Sequence, residues 1–509
     1  MIVESAWPAN GALILFAGVA GGGGFIYFRR QGCTLSEAAA YGCAAFLMSQ
    51  AWIGQVAFMA GVTRYYTLFL LLAALPGLKA ARRPTGYFFG QMSEVVGFAR
   101  RYPLAAAGLL TGWGYTALAS IWPTPRLFGS VLASLAPLWR HSGGIFPFGP
   151  HTATALPVLN HIVFLAPWQP PLAVVFANLA ACLAVGFGTY ALSRRYAWPP
   201  MAITVTLLVV SMTRLVHQGI TAHSELLPAA ASLTALLALY RSVERPRELD
   251  LVMLAATIGY SVAGGRLCFL MPAVLLGLSV VLLARRHGVR PWRPTTSRQT
   301  GVAFATVAIL IVFSQAGPVS ANLAADRTWI GNTPWDRVDY NEDGIGGAVA
   351  NMARYSVLSI DFPEFVDRSC RWLFGAGPLA GIKRLYSVTV APAFDGQGST
   401  MAFDWTWAAP HSLVWFGPMG FLLVFPSVVV AFWRGPYRLK STALALWVYW
   451  ILVCLIVAWR PENVRLMTRF FVCSGFLMAF ALPPWRLRRN GRTLLQLLGI
   501  LIMAHAILY

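Results

Sequence analysis

Residues 441–459 read STALALWVYWILVCLIVAW, a run without a single charged side chain. At the helical rise of about 1.5 Å per residue, such a run crosses most of a hydrocarbon core that is roughly 30 Å thick. Other apolar blocks, about 16 to 24 residues long, recur along the chain of 509 residues. The sequence therefore predicts an all-α polytopic membrane protein.

The composition agrees with this fold class. The chain is 57% hydrophobic and only 11% charged, whereas soluble proteins carry roughly a quarter charged residues. We predict about 13–14 transmembrane helices, with spans at 9–28, 38–60, 64–79, 103–120, 171–192, 199–215, 222–240, 250–265, 267–285, 301–319, 412–433, 441–459, 467–483 and 493–508. A further apolar stretch at 153–168 is interrupted by Pro157 and Pro167, and we expect a re-entrant or interfacial helix there.

The net charge of +21 is distributed unevenly over the loops. One side of the predicted topology holds 24 Lys and Arg against five acids, and the other side holds 15 against 13. Because Lys and Arg collect in cytoplasmic loops, the first side is predicted to be cytoplasmic. Both termini then lie on the outer side, the periplasm of a bacterial inner membrane. The basic charge thus reports topology, and we expect no nucleic-acid partner.

The same charge map divides the chain into four regions. Two outer loops are long and are expected to carry amphipathic helices, and ten of the 13 outer carboxylates lie between Asp326 and Asp404. The regions are N-terminal transmembrane helices with a basic cytoplasmic loop at 1–102, a transmembrane core at 103–319 with the first outer loop at about 121–170, the second outer loop at 320–411, and C-terminal transmembrane helices at 412–509.

A glycine cluster, GVAGGGGF at 18–25, lies inside a predicted span. Small residues let membrane helices approach each other closely. We therefore predict a close helix contact here, in preference to a nucleotide-binding loop.

The segment DYNEDGIGG at 339–347 begins like a calcium-binding EF-hand loop. The twelfth position of that loop needs a bidentate Glu, but here it is Ala350. The segment is better interpreted as a turn that leads into a helix starting near Gly347. Glu342 and Asp343 on this turn are candidate catalytic carboxylates.

The helix that follows the turn is predicted to be amphipathic. We expect it to lie on the membrane surface or to dock on the outer ends of the spans. Its apolar stripe consists of Val349, Met352, Ala353, Val357 and Ile360.

Charged residues near the outer ends of spans are candidates for function, because charge is costly at this position. The segment TRLVHQGITAHSELLPA at 213–229 places Arg214, His217, His223 and Glu225 around one predicted tight turn. A carboxylate at the start of a helix is favoured by the helix dipole. A cap in a solvated turn is the alternative interpretation.

A second charged group is AWRPENVRLMTRFF at 458–471, with Arg460, Arg465 and Arg469. Arginine binds phosphate in a bidentate manner, and Arg266 faces the same predicted side. We therefore consider these four residues a candidate site for a lipid-linked phosphate. Anchoring to lipid headgroups is the alternative.

The second outer loop ends with DWTWAAPHSLVWFGPMGF at 404–421. Trp405 and Trp407 fit an aromatic belt at the membrane interface, and they are also candidates for stacking on sugar rings. His411 is a candidate base.

Several segments between about 103 and 483 resemble bacterial polytopic glycosyltransferases of the GT-C superfamily, which take sugars from polyprenyl-phosphate donors on the outer face. The resemblance lies in 137–165, HSELLPAAASLTALLALYR at 223–241, GGAVANMARYSVLSIDFPEF at 346–365, WFGPMGFLLVFP at 415–426, and RLMTRFFVCSGFLMAFALPP at 465–484. A weaker similarity to O-antigen ligases lies in 374–381 and 409–420.

The resemblance implies sugar transfer from a polyprenyl-phosphate or -pyrophosphate donor to a lipid, glycan or protein acceptor. The acceptor hydroxyl must lose a proton, and the candidate bases are Glu225 first, then Asp343, Glu342 and His411. The arginines of 458–471 would stabilise the departing phosphate, and His217, His223, Trp405 and Trp407 would contact the substrate. No metal ligand is predicted, although a divalent cation is an open alternative.

The chain departs from the GT-C pattern in one respect. These transferases place a catalytic carboxylate in the first long outer loop, but no Asp or Glu occurs between Glu94 and Glu225. Two alternatives therefore stay open. One is a non-catalytic GT-C-like subunit that scaffolds a complex with other membrane subunits, and the other is a lipid or solute transporter. Membrane lipid is an expected partner in each case.

Overall fold

The computed structural model describes residues 21–59, 68–69, 72, 85–121, 170–220, 225–262, 269–287, 301, 305–312, 340–358, 364–389, 391–394, 416–417, 419–482 and 489–508. Within these residues the regular elements are helices, with one isolated antiparallel bridge between Tyr340 and Val457. The predicted all-α class is therefore confirmed for the described part of the chain.

The helices are numbered in chain order. The first ten are α1 Gly23–Arg30, α2 Leu35–Met59, α3 Thr85–Arg101, α4 Pro103–Ile121, α5 Pro170–Ser193, α6 Pro199–Val210, α7 Thr213–Ile220, α8 Leu226–Glu244, α9 Glu248–Ser261 and α10 Leu270–His287. The others are α11 Gly344–Leu358, α12 Glu364–Phe374, α13 Pro378–Thr389, α14 Ala391–Phe394, α15 Phe425–Arg434, α16 Tyr437–Ile456, α17 Thr468–Ser474, α18 Met478–Ala481 and α19 Arg489–Leu508. Between the last helices lie a π-helical segment, Gly420–Val424, and two 3₁₀ segments, Pro461–Met467 and Gly475–Leu477.

The chain forms two compact units. Unit one comprises Met1–Arg195 and Gln218–Asp336, and unit two comprises Tyr196–His217 and Arg337–Tyr509. Each unit has its own buried apolar core, as the full burial of Leu236 in unit one and of Trp450 in unit two illustrates.

Long apolar helices are present in both units. Five segments of the described chain are long and apolar enough to cross a membrane: Leu226–Glu244, Leu270–His287, Tyr437–Ile456, Asn463–Ala481 and Asn490–Ile507. A sixth is the pair of α6 and α7, if the two helices form one span bent by 62°. All six coincide with predicted spans. The predicted span at 64–79 is described at only three positions, and the stretch at 153–168 lies outside the described residues.

Helix α8 is the centre of unit one. Every residue from Leu226 to Val243 is buried, because small and apolar residues cover the whole circumference of the helix and leave no polar face. The hydroxyls of Ser232 and Thr234 donate to carbonyls one turn earlier in the same helix, so burial leaves neither hydroxyl unsatisfied. Helix α8 packs against α9 and α5, and α5 packs against α2 and α4.

The break between α6 and α7 lies at Ser211 and Met212. The Ser211 hydroxyl donates to the Leu208 carbonyl at 3.0 Å, and the Met212 N–H donates to the Val209 carbonyl at 3.2 Å. These bonds satisfy carbonyls that the end of a helix would otherwise leave open.

The tight turn predicted through 214–225 is wrong in its first part, because Thr213–Ile220 is helical. Leu215, Val216 and Ile220 are buried there. Buried backbone groups need hydrogen-bond partners, and a helix supplies them locally whereas an open turn relies on water.

An aromatic cluster fills the core of unit two. The ring of Phe425 in α15 lies 4.7 Å from that of Trp450 in α16, and Trp450 lies at the same distance from Phe470 in α17. Phe416 stacks on Phe471 at 4.1 Å. Each such pair contributes roughly 0.5–1.5 kcal/mol beyond the burial of its area, so the cluster holds α15, α16 and α17 together.

The close contact predicted for the glycine cluster is confirmed where the structure describes it. A Cβ atom added to Gly42 of α2 would lie 3.1 Å from the Gly21 carbonyl oxygen and 3.6 Å from Phe25 Cα. Both neighbours are backbone atoms, so a larger side chain must push α1 away from α2.

We expect Gly42→Leu to lower the free energy of unfolding by about 1–3 kcal/mol, the usual cost of overpacking. The melting temperature of the protein in nanodiscs measures the effect. Gly97→Leu is the matched control, because Gly97 is exposed on α3 and no described atom lies within 4 Å of an added Cβ. Equal losses in the two variants would contradict the contact.

Candidate functional site

Helix α11 meets the C-terminal end of α16 through a buried asparagine. The side-chain nitrogen of Asn351 donates to the carbonyl of Cys454 at 3.3 Å and to that of Val457 at 3.0 Å. Asn351 is fully buried. The last carbonyls of a helix have no intrahelical donor, so this side chain provides bonds that α16 cannot make itself.

A second asparagine attaches the turn before α11 to the same helix end. The Asn341 side chain donates to the Leu455 carbonyl at 3.1 Å, and its backbone N–H donates to the Ile456 carbonyl at 3.0 Å. Its side-chain oxygen accepts the N–H of Asp343 at 3.1 Å. The conformation of the turn and its attachment to α16 therefore depend on one residue.

The two asparagines together satisfy the last carbonyls of a candidate membrane span, α16. Each carbonyl of residues 454–457 accepts a hydrogen bond from Asn341 or Asn351. Where water is scarce, as in a membrane, backbone groups must be satisfied inside the protein. This contact agrees with the expectation that the helix docks on the end of a span, and the side of the membrane stays a prediction.

The predicted apolar stripe is not the face of α11 that packs. Val349 is 45% exposed, whereas Ala350, Asn351, Arg354 and Tyr355 are buried. Met352, Ala353 and Val357 of the stripe are half-buried, and Ile360 lies outside the described residues. The face that packs bonds a helix end, because a helix end presents carbonyl oxygens that amide groups can bond.

The acidic turn keeps Glu342 and Asp343 exposed. Helix α11 starts at Gly344, three residues before the predicted start, and the φ angle of 57° at this glycine is one that L side chains rarely adopt. Among the described residues, no group of three or more His, Cys, Asp or Glu could hold a metal ion. Asp339, the first position of the EF-hand pattern, lies outside the described residues.

Arg354 is a buried guanidinium that the sequence pattern did not reveal. Its side chain is 1% exposed, Nη1 donates to Asn351 Oδ1 at 3.1 Å, and Nη2 donates to the Phe394 carbonyl at 2.7 Å. Its guanidinium carbon lies 6.0 Å from the centroid of the Trp459 ring, at the limit of a cation–π contact. Arg354 follows Asn351 by three residues, which places both polar side chains on one helix face. This spacing was the signal in the sequence from which their contact could have been predicted.

The arginine segment, residues 460–469, starts three residues after the carbonyls that bind α11. The Asn463 side chain donates to the Ala458 carbonyl at 3.0 Å, and the Tyr449 hydroxyl donates to the Leu466 carbonyl at 2.6 Å. These bonds hold the 3₁₀ turn of the segment against the end of α16.

The three arginines of this segment have different surroundings. Arg469 is 1% exposed, whereas Arg460 and Arg465 are half-buried. Among the described residues, the buried Nε atom of Arg465 has no hydrogen-bond partner, and no ion pair involves this residue. Within the described residues, the Arg465 guanidinium therefore has no anionic partner.

Glu225 lies where the sequence predicts, at the start of a span. It is the N-cap residue of α8 and is 5% exposed, a position where the helix dipole favours a carboxylate. Glu225 belongs to unit one, whereas Arg214, which is 2% exposed, and the half-buried His217 belong to unit two. The predicted group around one turn is therefore divided between the two units.

Several other predicted site residues lie outside the described residues. These are His223, Arg266, Trp405, Trp407 and His411.

Unit one contains a largely buried ion-pair cluster that joins four helix ends and was not predicted. Arg241 bonds Asp250 through Nε at 2.7 Å and Glu37 through Nη1. Arg195 bonds Glu37 at 2.8 Å and Glu244 at 2.9 Å. We call Glu37, Arg195, Arg241, Glu244 and Asp250 the ion-pair cluster.

The ion-pair cluster is supported by further hydrogen bonds. The Tyr41 hydroxyl donates to Asp250 at 2.9 Å, and the Thr34 N–H donates to Glu37 at 2.9 Å. The Glu37 N–H in turn donates to the Thr34 hydroxyl at 3.4 Å, which completes a capping box at the start of α2. Burial raises the pKa of the nearby Cys33 thiol to about 11, so Cys33 stays protonated near neutral pH.

All members of the cluster lie at helix ends that the predicted topology assigns to the cytoplasmic side of the membrane. Their contacts agree with that grouping. Their pairing was not visible in the sequence, because Glu37 and Arg241 are 204 residues apart.

Compared with protein families, curated proteins and solved structures, the chain shows no significant match.

Proposed function

We propose that this chain is a membrane glycosyltransferase that moves a sugar from a polyprenyl-phosphate or -pyrophosphate donor to a lipid, glycan or protein acceptor. The observation that carries the proposal is Arg465, a half-buried guanidinium at the end of a candidate span without an anionic partner among the described residues. A charge in such a place is costly unless it is compensated. A lipid-linked phosphate would compensate it in a bidentate manner.

In the proposed reaction, the acceptor oxygen forms a bond to the anomeric carbon of the sugar as its proton passes to a carboxylate. The bond from that carbon to the phosphate oxygen breaks, and the electron pair stays on the phosphate. Arg465 stabilises the charge that develops there.

Two sources of the carboxylate are consistent with this chemistry. Glu342 and Asp343 are exposed on the turn that Asn341 attaches to residues 454–457, next to the arginine segment. Glu225, the first candidate from the sequence, is the N-cap of α8 in unit one. His411 is the remaining candidate base.

We expect Arg465→Met to reduce sugar transfer about 10²–10³-fold, the usual effect of removing one group that stabilises developing charge. The assay follows labelled sugar from a polyprenyl-phosphate donor in proteoliposomes. Arg465→Lys should retain part of the rate, because it keeps the charge but not the planar fork. Arg434→Met is the matched control, because Arg434 is exposed at the end of α15.

The base is identified by comparing Asp343→Asn, Glu342→Gln and Glu225→Gln in the same assay. The variant of the true base should lose most of the activity, and the others should keep it. A wild-type protein that transfers no sugar from any polyprenyl-linked donor would contradict the proposal.

A non-catalytic subunit is the second candidate. The lack of any Asp or Glu between Glu94 and Glu225 favours it, because the first long outer loop then offers no carboxylate base. It predicts an inactive wild type that co-purifies in fixed proportion with other membrane proteins.

A further inference from the structure

Helices α12 and α13 are joined by a short turn with an exposed apolar tip, and we call residues 364–389 the hairpin. Trp372 is 84% exposed, Leu373 61% and Phe374 78%, all at the end of α12. Leu385 and Val388 on α13 are also exposed. The two helices have 11 and 12 residues, which is too short to cross a bilayer, so lipid around a span does not account for these apolar side chains.

Where the structure describes the side chains of the hairpin, its exposed charges are basic. Arg368, Lys383 and Arg384 are exposed. Asp367 is 5% exposed and pairs with Arg371 at 2.8 Å, so this carboxylate does not offset them. Aromatic and apolar side chains beside Lys and Arg are the composition of segments that lie in the interface of anionic membranes.

The hairpin is held in a defined shape. The Asp367 carboxylate contacts Gly377 so closely that any side chain at this position would overlap with it. Gly375 has a φ of 73°, and its N–H donates to the Arg371 carbonyl at 3.0 Å to end α12. The apolar tip is therefore presented to the surroundings by a fixed turn.

The hairpin is attached to the end of a candidate span. Helix α13 packs on α14, and Arg354 of α11 donates to the Phe394 carbonyl of α14 at 2.7 Å. Helix α11 is itself bonded to the last carbonyls of α16. If α16 crosses the bilayer, its end lies at the level of the headgroups, and the attached hairpin starts from that level.

We propose that the hairpin, residues 364–389, binds the anionic lipid surface. Trp372 and Phe374 insert at the boundary between headgroups and acyl chains, and Lys383 and Arg384 contact lipid phosphates. This inference is independent of sugar transfer, since it requires only the hairpin and its attachment.

Photo-crosslinking tests the proposal in the full-length protein. p-Benzoylphenylalanine replaces Trp372 or, in a second variant, Phe374, in nanodiscs of phosphatidylcholine and phosphatidylglycerol in equal parts. We expect mass spectrometry to find adducts with phospholipid at both positions. Lys383→Glu combined with Arg384→Glu should reduce the phosphatidylglycerol adduct about tenfold, because the attraction to anionic lipid is lost.

The matched control places the same probe at Tyr386, an aromatic residue of α13 that is 7% exposed, where crosslinks should form within the protein. Adducts between two copies, or an absence of lipid adducts at both Trp372 and Phe374, would overturn the proposal. Lipid adducts that are unaffected by the charge reversal would overturn the role of Lys383 and Arg384.

Discussion

Replacing Arg241 by Met is expected to lower the free energy of unfolding by about 3–5 kcal/mol, the cost of breaking a buried ion pair by removing one partner. Met fills much of the same volume but leaves Asp250 and Glu37 without the guanidinium that bonds both. Asp250 is 1% exposed, so water cannot replace the lost bond. Equilibrium unfolding in mixed micelles measures the change.

Further variants separate the ion pair from the loss of a long side chain. Arg434→Met removes an exposed arginine and should change the free energy of unfolding by less than about 1 kcal/mol. Arg241→Met combined with Asp250→Leu removes both charges, and we expect it to recover much of the loss. Asp250→Leu alone completes the cycle. If the double variant lost as much free energy of unfolding as Arg241→Met and Asp250→Leu lose together, the pair would not be coupled.

Replacing Asn351 by Leu should cost about 3–4 kcal/mol, because an unsatisfied buried polar group costs roughly 1–3 kcal/mol and such costs are only partly additive. The substitution nearly conserves volume. It leaves the carbonyls of Cys454 and Val457 without this donor, and the Nη1 group of Arg354 without this acceptor. The melting temperature in nanodiscs measures the effect.

The matched control is Asn490→Leu, since Asn490 is exposed near the start of α19 and its replacement should be close to neutral. Asn351→Asp distinguishes the two roles of the residue. It keeps the acceptor for Arg354 but sets a carboxylate oxygen against two carbonyl oxygens, so it should also destabilise. A wild-type melting temperature for Asn351→Leu would contradict the role of this residue in satisfying the last carbonyls of α16.

The two predictions concern structural contacts that differ in their relation to the candidate site. Asn351 holds α11 on the segment that leads to Arg465, so its loss should also reduce any activity that depends on that arginine. The ion-pair cluster lies in unit one and contains none of the predicted site residues, so Arg241→Met tests the fold without altering the proposed chemistry.

The candidate site was partly predictable from the sequence. The position of Glu225 at the start of α8 was correct, because a helix start is a local property that follows from the order of polar and apolar residues. The attachment of the acidic turn to α16 was not predicted, because Asn341 and Leu455 are 114 residues apart. Arg354 was missed because the predicted stripe assumed that only apolar side chains pack.

The sequence by itself determined that the described part of the chain is helical and where its long apolar helices lie. That information is local, since a run such as 441–459 both satisfies its own backbone groups as a helix and is long enough to cross a bilayer. Only the tertiary structure decided which helix ends meet, which face of α11 is buried and where the chain bends between α6 and α7. Buried charges and unsatisfied carbonyls bond the partners that the fold brings near them. Because those partners are far apart along the chain, their contacts leave no periodic pattern in the sequence.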